Sequence, residues 1–140
     1  MEIVSPVHGK FLYEEKDIVI FEKSIPGFEN LRKFIIKEVE DSGFYILQSL
    51  EEAELGFVLI SPFSIDKNYE IKLNEEVIKA LEVNDENEVI LYSIVTLNSD
   101  IEKITANLKA PIVINNKTNK GEQYITENNK YNIREKVYSN

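Results

Sequence analysis

The chain has 140 residues, 43% of them apolar and 29% charged, which is the size and make-up of one globular domain able to bury a single core. Its formal net charge of −9 opposes the phosphate neutralisation that drives nucleic-acid affinity and repels anionic lipid, so direct binding to nucleic acid or membrane is set aside and a basic protein partner is favoured. Cysteine is absent, which removes disulfides, thiolate nucleophiles and cysteine-ligated metal sites and fits a reducing compartment, the cytoplasm.

The amino terminus has no basic start followed by an apolar run, and no stretch nears the roughly 20 apolar residues a membrane span needs. From there the pattern is a succession of short segments rich in Ile, Val, Phe and Tyr, separated by turn-forming clusters, as in an all-β sandwich or barrel. The only histidine, His8, precedes Gly9 and reads as a turn residue, with no second ligand for a metal and no nucleophile elbow for a triad. Strands are predicted at Lys10 to Tyr13 and Ile18 to Phe21. Between these and the next strand, Ile25-Pro26-Gly27-Phe28-Glu29 predicts a type II turn: proline presets its second position and glycine supplies the positive φ of its third. Phe28 then either plugs one end of the core or stands out as a recognition corner.

Further strands are predicted at Lys33 to Glu38, Phe44 to Ser49 and Phe57 to Ser61. The acidic run Glu51-Glu52-Ala53-Glu54 between the last two reads as a solvated loop rather than as a catalytic carboxylate pair. Phe57-Val58-Leu59-Ile60 is apolar at successive positions and so requires cover on both faces or a partner on the outer one. Ser61-Pro62-Phe63 ends it at an edge or barrel rim, because proline cannot donate to a ladder, and Phe63 reads as core. Tyr69 to Leu73 alternates cleanly and is predicted as a strand with one wet face.

The one helix is expected over about 74–82, with Asn74 as cap, Glu75 and Glu76 at the positive end of the dipole, and Val77, Ile78 and Leu81 on one face. Asn84-Asp85-Glu86-Asn87 ends it, and Val89 to Val95 is a second strand that needs cover on both faces or a partner on the outer one. Ile104 to Leu108 alternates until Ala110-Pro111 breaks the pairing, where Pro111 is expected to turn a barrel corner and Asn107 to satisfy backbone groups the break exposes. Strands at Ile112 to Asn115 and Gln123 to Thr126 flank a hairpin loop, Asn115 to Gly121. The fold expected is therefore mostly β, a single-domain antiparallel β-barrel-like arrangement of about ten short strands and one short helix, spanning 1–134, with 135–140 as a flexible tail.

Gly9, Ile25-Pro26-Gly27-Phe28-Glu29, Phe44-Tyr45-Ile46-Leu47-Gln48-Ser49, Ser61-Pro62-Phe63 and Ala106-Asn107-Leu108-Lys109-Ala110-Pro111-Ile112-Val113-Ile114-Asn115 together resemble the FliW family in order and spacing, from about Ile3 to Arg134. The chain departs from the family pattern at Ala106, where valine is usual, and at Glu122, where a smaller or basic residue often precedes the glutamine. The resemblance implies a non-enzymatic flagellar assembly factor and chaperone without cofactor, which captures newly made flagellin in the cytoplasm. When flagellin is scarce, it implies binding of the RNA-binding carbon storage regulator CsrA, relieving repression of flagellin translation. Phe28, Glu29, Glu54, Phe57, Pro62, Phe63, Glu70, Asn107 and Lys109 are the candidate partner-binding residues. The alternative is a small carbohydrate- or ligand-binding β-barrel, which requires a cavity with a polar cluster, two carboxylates for instance; an oligonucleotide-binding barrel is weaker, because the charges on Tyr69 to Leu73 are mixed.

Overall fold

Short β-branched and aromatic segments do form the strands of the computed structural model, which describes residues 1–138. Among the described residues eleven strands are present: β1 Glu2–Ser5, β2 Gly9–Leu12, β3 Val19–Ile20, β4 Lys33–Glu38, β5 Phe44–Ser49, β6 Gly56–Ile60, β7 Val89–Thr96, β8 Thr105–Ala106, β9 Ile112–Asn115, β10 Lys120–Gln123 and β11 Glu135–Lys136. The one α-helix among the described residues, α1, is Glu75–Ala80, and the Asn74 side chain accepts from the Val77 amide at 2.9 Å as its N-cap.

Neighbouring strands run β7-β6-β5-β4-β3-β10-β9, and β9 also pairs with β7, so these seven close into a ring. Closure removes the free edges that an open sheet exposes. All pairings in the ring are antiparallel except the single parallel contact of Lys120 with Ile20 between β10 and β3. β7 makes closure possible by its length: Ser93 and Ile94 pair with β6, Val89 to Tyr92 pair with β9, and Val95 and Thr96 pair with β8. Thus β8 and β9 lie end to end along β7, interrupted at Asn107 to Pro111. At that interruption the Asn107 Oδ1 accepts from the Lys109 and Ala110 amides at 3.0 and 2.9 Å, the backbone satisfaction expected of it.

The core inside the ring consists of Val19, Phe21, Phe34, Leu47, Leu59, Ile112 and Ile114, closed off by Ile25 and Leu31. Val113 points the other way, against Val77 and Leu81 of α1 and Tyr124, which is why three consecutive apolar residues of β9 are all buried. The helix is fastened at its end by Asn115, expected only to end a strand and open a hairpin loop. Asn115, fully buried, donates through Nδ2 to the Leu81 and Glu82 carbonyls at 2.8 and 3.2 Å and accepts the Lys117 amide at Oδ1. It thereby satisfies carbonyls that a six-residue helix leaves unpaired.

Three sequence expectations are corrected. Tyr69 to Leu73 joins no sheet: Tyr69 is buried by ring contacts at 4.5 Å to Tyr131 and 5.9 Å to Phe63, and its hydroxyl donates to the Leu108 carbonyl, so side-chain anchoring replaces a ladder. The last long strand lies at Lys120–Gln123 rather than Gln123 to Thr126, because the turn after β9 is tight and pairing resumes at Lys120 opposite Asn115. Where a loose tail is expected from residue 135, Glu135 and Lys136 pair with Ala106 and Thr105, and Val137 packs beside Ile60, Val95 and Ile104. Ser139 and Asn140 of that expected tail lie outside the described residues. A strand not foreseen, β1, forms a separate hairpin with β2, turning at Pro6 to His8. The hairpin seats against β6 because Gly56 has no side chain: a Cβ there would stand 2.8 Å from the His8 ring.

The Pro26-Gly27 turn has the expected form, with the Phe28 amide donating to the Ile25 carbonyl at 2.8 Å and Gly27 at φ +90°. Gly27→Val puts a β-branched residue in that conformation and is expected to cost about 1–2 kcal/mol, read as a lower melting temperature. An unchanged melting curve would show that the turn relaxes freely.

Candidate functional site

The candidate residues divide between the two ends of β6, which its five residues separate by roughly 15 Å at the usual rise per residue. At the start of β6, Phe28 packs edge-to-face on Phe57 at 5.1 Å, and Phe57 in turn tilts against Phe34 at 6.3 Å. Both phenylalanines are half-buried and packed on the barrel core, so Phe28 serves mainly as its plug. Glu29 folds back to accept the Gly27 amide at 3.2 Å, while Glu54 is exposed in the β5–β6 loop. That loop is built on a buried glutamine: Gln48 Nε2 donates to the carbonyls of Ser49, Ala53 and Leu55 at 3.0 to 3.1 Å.

After the end of β6, Pro62 is buried and opens a single 3₁₀ turn that swings Phe63 outward. Phe63 is 48% exposed, a correction to its reading as core: the turn ends the strand and leaves the ring edge-on to Tyr69 at the barrel rim. The aromatic chain Phe63, Tyr69, Tyr131 brings Glu70 to the same place, because the Tyr131 hydroxyl accepts the Glu70 amide at 2.8 Å. Asn107 is near through the Tyr69 bond to Leu108. Lys109 is tethered by Nζ to the Asn128 carbonyl at 3.1 Å and to Asn129 Oδ1 at 3.4 Å. Phe63 and Glu70 are thus brought together with Pro62, Asn107 and Lys109 around them, and Phe28, Glu29, Glu54 and Phe57 are not part of that group.

Beside Phe63 and Glu70 runs a groove of about 890 Å³ along the Val89 to Tyr92 part of β7. Its walls include Ile71 and Leu73 on one side and Tyr45, Ile90 and Tyr92 on the barrel, with Ile78 from α1. Ile90 and Ile78 are each 37% exposed, so the groove presents apolar surface to solvent. Tyr45 and Tyr92 pack edge-to-face at 5.2 Å, and burial, reinforced by the neighbouring Tyr45 and Glu38, pushes the Tyr92 phenol up. The rim carries Glu70, Asp85 and Glu86 against one lysine, Lys72. Tyr45, Ile90 and Tyr92 are not among the nine candidate residues; the consecutive apolar residues of β7, which demand cover on both faces or a partner on the outer one, were the available signal.

A second cleft, of about 300 Å³, lies between α1 and β10 and holds Glu22, Glu76, Glu122, Lys23 and Lys120. Lys120 pairs with Glu22 and Glu82, each at 3.1 Å. Burial pushes the Glu122 carboxyl above its ordinary 4.5, with Lys23 opposing and Glu76 adding to the shift. Glu122 therefore holds its proton more readily folded than unfolded, so its contribution to stability is present below pH 4.5 and is lost as pH rises through the folded value. Glu122→Gln is expected to raise the melting temperature at pH 7, the gain over the parent shrinking towards zero in acid. A pH series of melting curves checks this, and a lower melting temperature for the variant at neutral pH would show the carboxylate to be stabilised by its neighbours. Glu51 and Glu88 act in the opposite sense. Backbone amides of Arg32 and Lys33 hold Glu51 low, and those of Asn84 and Asp85 hold Glu88 low, so both lose their contribution on acidification.

Among the described residues no helix is long and apolar enough to cross a membrane. Residues 2–137 match the family model described as FliW protein. The chain is 49% identical over 139 residues to a protein of Clostridium botulinum (strain Okra / Type B1) named flagellar assembly factor FliW, covering 99% of this chain and 97% of that one. A Clostridium tetani protein of the same name is 47% identical over 139 residues, covering 99% and 96%. Among solved structures, the crystal structure of the flagellar assembly factor FliW superimposes with a TM-score of 0.93 at 40% identity, covering 100% of this chain and 99% of that one.

Proposed function

The chain belongs to the FliW family of flagellar assembly factors, and from that premise we propose that it works without catalysis in the cytoplasm by capturing flagellin and, alternately, the RNA-binding regulator CsrA. The observation that carries this reading is the apolar groove along β7 with its acidic rim, a surface suited to a segment that is apolar and basic at once. Flagellin termini left unpaired before polymerisation supply apolar stripes of that kind, and covering them also holds back premature assembly. Capture of CsrA relieves repression of flagellin translation, and accumulating flagellin then takes the factor back. Such a switch needs only that occupancy by one partner weakens the other, a coupling that is reciprocal. Of the nine candidate residues, Phe63, Glu70, Asn107 and Lys109, with Pro62 beneath them, are the ones retained for partner contact. The rival ligand-binding barrel is disfavoured because the ring interior is filled by apolar side chains such as Phe21, Phe34 and Leu59, all without exposure.

Mixing the purified protein separately with monomeric flagellin and with CsrA on a sizing column tests the reading; co-elution with each is expected, and migration apart from both overturns it. The net charge of −9, with 14 of the 25 acidic but only 7 of the 16 basic residues lying in residues 1–70, is expected to steer a basic partner from a distance. Raising salt from about 0.02 to 0.5 M, which shortens the Debye length severalfold, should slow association with CsrA about tenfold and leave dissociation nearly unchanged. Stopped-flow rates across the series check it. A salt-sensitive dissociation rate with a constant association rate would place the charge in local ion pairs instead.

A further inference from the structure

Tyr69-Glu70-Ile71-Lys72-Leu73 has the sequence of a strand and the burial of one, Tyr69 inward, Glu70 and Lys72 exposed, Ile71 and Leu73 partly covered, yet it pairs with no strand among the described residues. Its side chains are anchored: Ile71 and Leu73 pack against the cluster of Val77, Leu81 and Tyr124, and Tyr69 bonds to Leu108. One edge of its backbone is half satisfied. The Glu70 amide donates to the Tyr131 hydroxyl at 2.8 Å, and the Lys72 carbonyl accepts the Tyr124 hydroxyl at 3.0 Å. In a strand the backbone groups of alternate residues share one edge, so two tyrosines stand in for a neighbouring strand on the edge of Glu70 and Lys72. No backbone group of Ile71 or Leu73 has a hydrogen-bond partner among the described residues. Native chains pair such groups with one another or with water, and a strand-like row of them beside a groove is a template for another chain.

We propose that Glu70 to Leu73 is an acceptor strand, and that a partner protein pairs an extended segment of its own with the open edge at Ile71 and Leu73. The occupant is an extended stretch alternating apolar residues with Lys or Arg. Its apolar side chains would meet Phe63 and Ile90 in the groove, and its basic ones the rim of Glu70, Asp85 and Glu86, which outweigh Lys72. Main-chain bonds supply affinity in this mode of recognition and alternate side-chain pockets supply selectivity. The assignment rests on the reading of the chain as a protein-capturing factor and adds the manner of capture.

Residue-resolved amide exchange, with monomeric flagellin and CsrA each used as probe, tests it. In the free protein the Ile71 and Leu73 amides should exchange quickly. With at least one probe both should slow tenfold or more, while the Lys72 amide, on the tyrosine edge, changes little. Ile90→Lys, at a partly exposed position, should weaken that same complex about tenfold without altering the melting curve. Exchange at Ile71 and Leu73 that stays fast with both probes overturns the proposal, as does protection without the alternation, which a helix laid in the groove would give. Unaltered affinity in Ile90→Lys overturns it too. Co-elution of the partners with fast amides sinks the acceptor strand alone, whereas absence of co-elution sinks the capture reading with it.

Discussion

Asn115→Ala is expected to cost about 3 kcal/mol, a fall in melting temperature of roughly 10 °C for a domain of this size. The side chain is fully buried and joins four backbone groups: the Leu81 and Glu82 carbonyls at the end of α1 and the Lys117 and Thr118 amides of the β9–β10 turn. Alanine leaves these groups short of partners, and a buried group stripped of its bond costs about 1–3 kcal/mol. Thr118 softens the loss slightly, since its hydroxyl also donates to the Leu81 carbonyl at 3.1 Å. Asn115→Asp distinguishes bonding from packing. It keeps the volume and the acceptor but sets a carboxylate against carbonyls at the negative end of a helix, so it should be at least as damaging as alanine. Aspartate behaving like the parent in thermal melts would mean that Asn115 merely fills space.

Gly121→Val is expected to be of similar size, about 3 kcal/mol, for the opposite reason, overpacking. Gly121 is buried in β10, and a Cβ added there would stand 2.9 Å from Phe21 Cζ and 3.2 Å from Val19 Cγ1. The Phe21 ring has no exposure and packs edge-to-face on Phe34 at 5.2 Å, so it has little space into which to withdraw. Shortening the obstacle should relieve the clash: Phe21→Leu combined with Gly121→Val should be less damaging than the sum of the two single changes. Denaturant midpoints of the four proteins measure this, and strict additivity would show that the Cβ is accommodated elsewhere.

Local chemistry was enough to read several elements from the chain alone. Lys33–Glu38, Phe44–Ser49 and Ile112–Asn115 are strands at the expected residues, because runs of branched and aromatic residues bounded by polar turns leave few other choices. The Pro26-Gly27 turn, the Asn74 cap and the Asn107 bonds at the break before Pro111 were legible for the same reason: each partner lies within three residues. The family resemblance rested on these same short-range features.

What only the tertiary structure decided are matters of distant partnership. Ring closure depends on β7 offering one edge to β6 and the other to β8 and β9, and no local pattern records which edge meets which strand. Phe63 is as apolar as any core residue; its exposure follows from the turn at Pro62 and the position of Tyr69. Asn115 reads as a polar strand end until α1, more than 30 residues earlier in the chain, is placed against it. The pattern of Tyr69 to Leu73 declares a strand correctly in its alternation but says nothing of a neighbour. Alternation is a property of one chain segment, whereas pairing is a property of two, and here hydroxyls of Tyr124 and Tyr131, over 50 residues away, hold two groups of one edge and leave the other open.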